Sequence, residues 1–232
     1  MQATYPGAQG SAAAGALDDG WCGSHVVRGD QTNPRHVTVN PVRAGVRNHA
    51  MQHALSLDEH RAYFAQSPFL AMPIAGTIAW TGIGIAGLFL PTHLAAWALF
   101  IGTGMIFSLG LLGARFTGED LLGRQRPGNP FDALFMRTVM MAWLVFAIAI
   151  PFFRIEPTSL PLTVGILAGL MWLPFGWMIQ HWVGTFHAVT RTVLCLAVWY
   201  QFPEHRFVAI PLVIVAVYLV TIVALVRRKR LS

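Results

Sequence analysis

The sequence predicts an all-α fold: a polytopic membrane protein whose bundle of six transmembrane helices is preceded by a short N-terminal amphipathic helix. Three observations predict it. Only 11% of the 232 residues are charged and 55% are hydrophobic, whereas an ordinary soluble domain carries about 25% charged residues. The apolar residues gather in six runs of about 20 residues, and at 1.5 Å per residue each measures about 30 Å, one bilayer crossing. Pro, Gly and charged residues stand between the runs, where turns are needed. A water-facing surface would not tolerate this excess of apolar side chains, so a soluble globular enzyme is excluded.

Residues 1–50 are rich in Gly, Ala and Asn with mixed charge and show no period of 2 or 3.6, which predicts a disordered extension. The stretch Ala12 to Leu17 has no basic residues before it and is followed by Asp18 and Asp19, so it fails as a signal-peptide core. Met51 opens a different composition and is expected to be the natural start. Within 51–68, Ser56 and Glu59 have capping-box spacing, and Leu57, Tyr63 and Phe64 alternate with Asp58, Glu59, His60 and Arg61. That pattern predicts an amphipathic helix in the headgroup region with its aromatic side toward lipid, or a solvated lead-in helix. The six-span domain, 69–226, comprises runs at 69–90, 94–114, 134–153, 160–179, 183–202 and 207–226, followed by a basic tail at 227–232. Pro91 with His93, Pro157 with Pro161, and Pro203 through Arg206 end runs. Only Gln180, His181, Trp182 and Gly184 separate the fourth run from the fifth. The long connection from Arg115 to Arg137 reads as an ordered cytoplasmic elbow. Its Thr117-Gly118-Glu119-Asp120 has capping-box spacing, and Pro127-Gly128-Asn129-Pro130 forces a turn.

Lys and Arg set the orientation. Thirteen of the sixteen fall before the first run, around the elbow or after the last run. Arg154 and Arg206 occupy the alternate connections, and Arg191 lies inside the fifth run. The positive-inside rule then puts both termini in the cytoplasm. The net charge of +6 is thereby explained without a nucleic-acid partner, which would need basic residues on one solvated face. Trp97 and Trp182 are the best-placed interfacial anchors.

None of the ten acidic residues sits at the centre of a run, which argues against a carboxylate-driven ion pump. Cys22 and Cys195 form no CxxC or zinc spacing, so neither cofactor nor metal is expected, and no residue is assigned a catalytic role. Small residues crowd the first two runs, among them Gly76, Gly87, Gly102 and Gly110. They predict close helix packing, or, with Pro73 and Pro174, unwound half-helices at a substrate site. A faint match of Ala75-Gly76 through Trp80 to Ala168-Gly169 through Trp172 suggests inverted halves. The most unusual polar cluster is Gln180, His181, His187, Thr190 and Arg191. His187 and Arg191 are four apart and share a helix face. A cation there costs at least about 2.5 kcal/mol at the bilayer centre, so Arg191 either snorkels to the cytoplasmic side or builds a ligand site, with an anion as the natural ligand. The expected partners for its charge are Gln180, His181 or Thr190, with Glu119 or Asp120 of the elbow. Arg115, Glu119, Asp120 and Arg124 of that elbow gate a pathway, bind anionic headgroups or are simply solvated.

The stretches Arg115 to Arg124, Pro157 to Gly169 and Gln180 to Arg191 resemble an uncharacterised bacterial family of six-span integral membrane proteins, a domain of unknown function, over roughly Met51 to Val226. The resemblance implies a helical membrane domain in a bacterial plasma (inner) membrane and carries no catalytic or binding residue to transfer. On the residues alone, a small permease- or channel-like protein is the leading function. A non-catalytic scaffold or regulatory partner is the alternative, and an enzyme acting on a lipid or quinone comes third. The partners in view are membrane lipids, a small anionic ligand and a second copy of the chain.

Overall fold

The computed structural model describes residues 55–228. The expectations for residues 1–50, for Met51 as a start and for residues 229–232 lie outside the described residues. Helix α1, Leu57–Ala65, begins with the predicted capping box: Glu59 N–H donates to Ser56 Oγ, and Ser56 N–H donates to Glu59 Oε2 at 2.6 Å. Its two aromatic residues do not share a lipid-facing side. Phe64 turns inward and is 1% exposed, its ring tilted against those of Phe69, Phe131 and Phe135, whereas Tyr63 stays outside.

Every regular element among the described residues is a helix, and none is a strand. Helix α2 is Ala71–Phe89, α3 is Thr92–Thr117, α4 is Pro130–Leu144 and α5 is Phe146–Ile155. A 3-10 turn at Pro157–Ser159 leads to α6, Leu160–Gly169, and α7, Trp172–Met178. Helix α8 is Val183–Gln201, a 3-10 turn covers Pro203–His205, and α9 is Arg206–Arg227. Five segments are long and apolar enough to cross a membrane: Ala71–Phe89, Thr92–Thr117, Pro130–Ile155, Pro157–Met178 and Pro203–Arg227. The fifth run of the sequence, now α8, has the length of a span at 19 residues, but His187, Arg191 and Gln201 take it below that apolarity. Large apolar side chains such as Ile78, Leu88, Ile101, Met140, Leu212 and Leu219 are exposed along the passes, as a lipid-facing surface requires.

Two runs expected as single helices are interrupted. The third breaks at Val145; the fourth breaks at Leu170 and Met171. The second break has a local cause: Pro174 supplies no N–H for the carbonyl four residues before it, Leu170, and its ring crowds that oxygen. Leu170 O accepts from Leu173 N instead, tightening the turn. Helix α9 contains Pro211 and continues through it, and Gly87 of α2 makes room at the consequence. A Cβ on Gly87 would lie 2.4 Å from Phe207 O, the carbonyl that Pro211 leaves without its helical donor.

Close backbone packing joins α2 to α3 and α9, and α8 to α6, α7 and α9. The two ends of the bundle carry different charge. At one, Arg228 donates to Ala65 O and Ser67 O, Asn129 donates to His60 O, and Arg61 lies 4.1 Å over the Trp177 ring. At the other, Arg206 donates to Thr158 and covers the Trp199 ring at 3.4 Å. Helix α8 therefore runs between the same two ends as the apolar passes.

Candidate functional site

Arg191 lies near the middle of α8, about 12 Å of helical rise beyond Val183. Its side chain is 1% exposed, so it does not snorkel; it is enclosed by neighbours shaped to admit it. A Cβ on Gly169 of α6 would come within 2.9 Å of Arg191 Cδ, and one on Gly76 of α2 would fall 2.5 Å from Tyr218 Cζ. The two glycines thus clear space for the arginine stem and for the tyrosine that meets it. Trp80 of α2 lies 5.3 Å from the guanidinium carbon and the Tyr218 ring 5.6 Å, and cation–π attraction strengthens where water is excluded.

The hydrogen bonds define an ordered chain. Thr221 Oγ1 donates to Val217 O at 2.8 Å, which leaves that oxygen to accept from His187 Nδ1 at 2.8 Å. With its proton on Nδ1, His187 presents Nε2 as an acceptor, and Arg191 Nη1 reaches it at 3.5 Å while also donating to Tyr218 OH at 3.4 Å. His187 is fully buried and stacked on Trp172, with ring centroids 4.3 Å apart. The other two guanidinium nitrogens, Nε and Nη2, are buried with no hydrogen-bond partner among the described residues.

Beside the guanidinium is a cavity of about 80 Å³. Met72 and Trp80 line it from α2, Thr103, Ile106 and Phe107 from α3, Val139, Ala142 and Trp143 from α4, and Phe146 from α5. Val164, Ala168, Met171, Trp172 and Tyr218 complete the wall. It is an apolar, aromatic chamber with one fixed positive charge. Trp80 and Trp172, paired in the faint Gly/Trp match of the sequence, both belong to it, as the two matched glycines belong to its support.

Of the residues singled out in the sequence, His187 and Arg191 are brought together and the others are not. Gln180 is exposed at a positive φ of 49°. His181 lies in the turn before α8, where its Nδ1 accepts from Val183 N at 3.3 Å; burial and then the charge of Arg228 hold its pKa below the ordinary value, in keeping with a neutral acceptor. Thr190 is half-buried. The charge of Arg191 meets Tyr218 and Thr221-bound His187, not the elbow carboxylates. Tyr218 and Thr221 were the missed partners, and their signal was two hydroxyls three apart, hence on one face, in an otherwise apolar run.

The elbow is a structural knot. The capping-box spacing at 117–120 starts no helix; Gly118, at φ 71°, ends α3 as a left-handed cap, because a Cβ-free residue adopts that geometry without strain. Glu119 instead crosses to the start of α2, where Oε1 accepts from Leu70 N at 2.7 Å and Ala71 N at 3.0 Å. Arg126 grips Asp132 through two parallel bonds, Nη2 to Oδ1 at 2.8 Å and Nε to Oδ2 at 3.2 Å, and donates to Ser67 Oγ and Asp120 O. Burial raises the Asp120 pKa, but the N–H groups of Gln125 and Arg124 outweigh it and hold it below the ordinary value. Arg115 and Arg124 are exposed. Among the described residues no group of three or more His, Cys, Asp or Glu could hold a metal ion.

A family model described as a family of unknown function, DUF7010, matches residues 60–228. No curated protein and no solved structure matches.

Proposed function

We propose a function for a chain that belongs to the family of unknown function DUF7010: a small permease-like protein of the bacterial plasma membrane, with a transport site for an anion centred on Arg191. The observation that carries this reading is the pair of buried guanidinium nitrogens with no partner among the described residues. A buried, unsatisfied charged donor is costly, and an anion in the adjoining cavity would relieve that cost. The titratable groups on the cavity wall are Arg191 and Tyr218, an arrangement suited to holding an anion and lacking a carboxylate base. In this reading α8 is the sixth membrane span, sheltered by its neighbours, and the end of the bundle bearing Arg126 and Arg228 faces the cytoplasm.

The test is anion flux into vesicles carrying the purified protein, with chloride, phosphate, acetate and benzoate supplied in turn. One class is expected to give protein-dependent flux that Arg191→Gln abolishes and Arg191→Lys reduces, at normal folded yield. No flux with any anion, together with an unfolding midpoint indifferent to all of them, would overturn the proposal and leave Arg191 as an internal brace of a non-catalytic scaffold.

A further inference from the structure

We infer that the cavity beside Arg191 takes a lipophilic monocarboxylate that reaches it sideways from the hydrocarbon layer. The inference rests on reading Arg191 as an anion site and adds the chemical class and the route.

The class follows from which nitrogens are bare. Nε and Nη2 share one edge of the guanidinium, and two parallel N–H donors on that edge match the two oxygens of a carboxylate. The molecule itself provides the template: Arg126 binds Asp132 through the same two atoms. That edge of Arg191 has no partner among the described residues, while Nη1 is committed to Tyr218 and His187. Apart from the Thr103 hydroxyl the rest of the wall is apolar or aromatic, including Trp80, Phe107, Phe146 and Trp172, so the remainder of the ligand is a hydrocarbon body, and from a chamber of about 80 Å³ a long chain continues out through the mouth.

The route follows from where the chamber meets the surface. Trp143, on its wall, is 54% exposed and stands at the midpoint of the pass Pro130–Ile155. Ile106 and Phe107 stand near the midpoint of α3 and are half-buried. Helix α3 meets α5 through rings, Phe100 against Phe146 and Phe153, whereas its close backbone packing is with α2. A mouth at mid-height opens onto lipid tails. Inorganic anions are excluded from that layer by the cost of leaving water, whereas an acid with an apolar body accumulates in the bilayer.

The experiment uses the full chain in phosphatidylcholine vesicles, with ω-bromodecanoate as a quencher of the tryptophans lining the cavity. A saturable component of quenching is expected, displaced by decanoate but not by decanol, chloride or phosphate. Arg191→Gln should weaken it by about tenfold or more, since hydrogen bonds to a charged group are worth about 1.5–3 kcal/mol; Arg191→Lys should fall between. Ala142→Phe, which adds a ring to the cavity wall next to the exposed Trp143, should abolish the component while the unfolding midpoint holds. Equal displacement by decanol would overturn the carboxylate, and normal binding in Ala142→Phe would overturn the sideways route. Arg191-dependent displacement by phosphate or chloride, with none by decanoate, would overturn the class and leave the anion site standing. Unaltered binding of every probe in Arg191→Gln would overturn both. If Arg191→Gln fails to fold, the Lys variant and Ala142→Phe decide.

Discussion

At the residue scale, the burial of Arg191 depends on what its neighbours lack. Gly76 has no side chain where the Tyr218 ring lies, and Tyr218 in turn supplies one of the guanidinium's acceptors. Gly76→Ala is therefore expected to destabilise by about 1–3 kcal/mol, the usual range for overpacking. In a Tyr218→Ala background the same change should cost far less, because the clash is gone. Unfolding midpoints of the two single variants and the double variant measure the coupling; additive effects would sink the account. His187 and Arg191 were legible in the sequence because polar residues four apart stand out in an apolar run. The small residues that seat them were not, since a glycine in a membrane helix carries no sign of which side chain it admits. Snorkelling was ruled out by packing that only tertiary structure reveals: an arginine at this depth has the reach to leave the bundle, and here it is walled in by Trp80, Gly169 and Tyr218.

At the element scale, the proline and glycine punctuation placed most helix ends correctly, while capping signals were read with mixed success. The Ser56/Glu59 box forms. The same spacing at Thr117 does not, because Gly118 closes α3 and draws Glu119 to a different helix start. Spacing alone cannot tell a start from a stop when glycine lies between. The elbow that results has its own pH dependence. The carboxyl of Asp120 titrates below its ordinary value, so its contribution is complete above the unfolded-state pKa of about 3.9 and is lost as pH falls through the lower folded value. Asp120→Asn is expected to lower the unfolding midpoint at neutral pH, with the gap from the parent protein closing as pH falls below about 4. A gap that stays constant with pH would show that the ionised carboxylate does not matter.

At the scale of the whole molecule, the multi-pass all-α architecture was legible because bilayer thickness fixes run length and spacing. The chamber was not, since it is assembled from eight helices that sequence order does not bring together. The charge asymmetry counted along the chain reappears in space, with Arg61, Arg126 and Arg228 at one end and Arg206 at the other. Alkaline phosphatase fused after Arg228 is accordingly expected to be inactive in bacteria, and the same reporter in the turn at Pro157–Ser159 active. The reverse pattern would overturn the orientation.

Helix α8 also has a consequence for biogenesis. Its arginine and histidine find their partners, Tyr218 and Thr221, on a helix that leaves the ribosome later. If α8 spans the membrane as proposed, a nascent chain ending at Gln201 holds a segment whose arginine opposes insertion by about 2.5–3.5 kcal/mol, before Tyr218 and Thr221 have been synthesised to meet it. On that reading the segment is expected to wait at the translocon or the interface until α9 arrives, the two entering lipid as a hairpin. Helix α9 would then serve, during synthesis, as an insertion chaperone for α8.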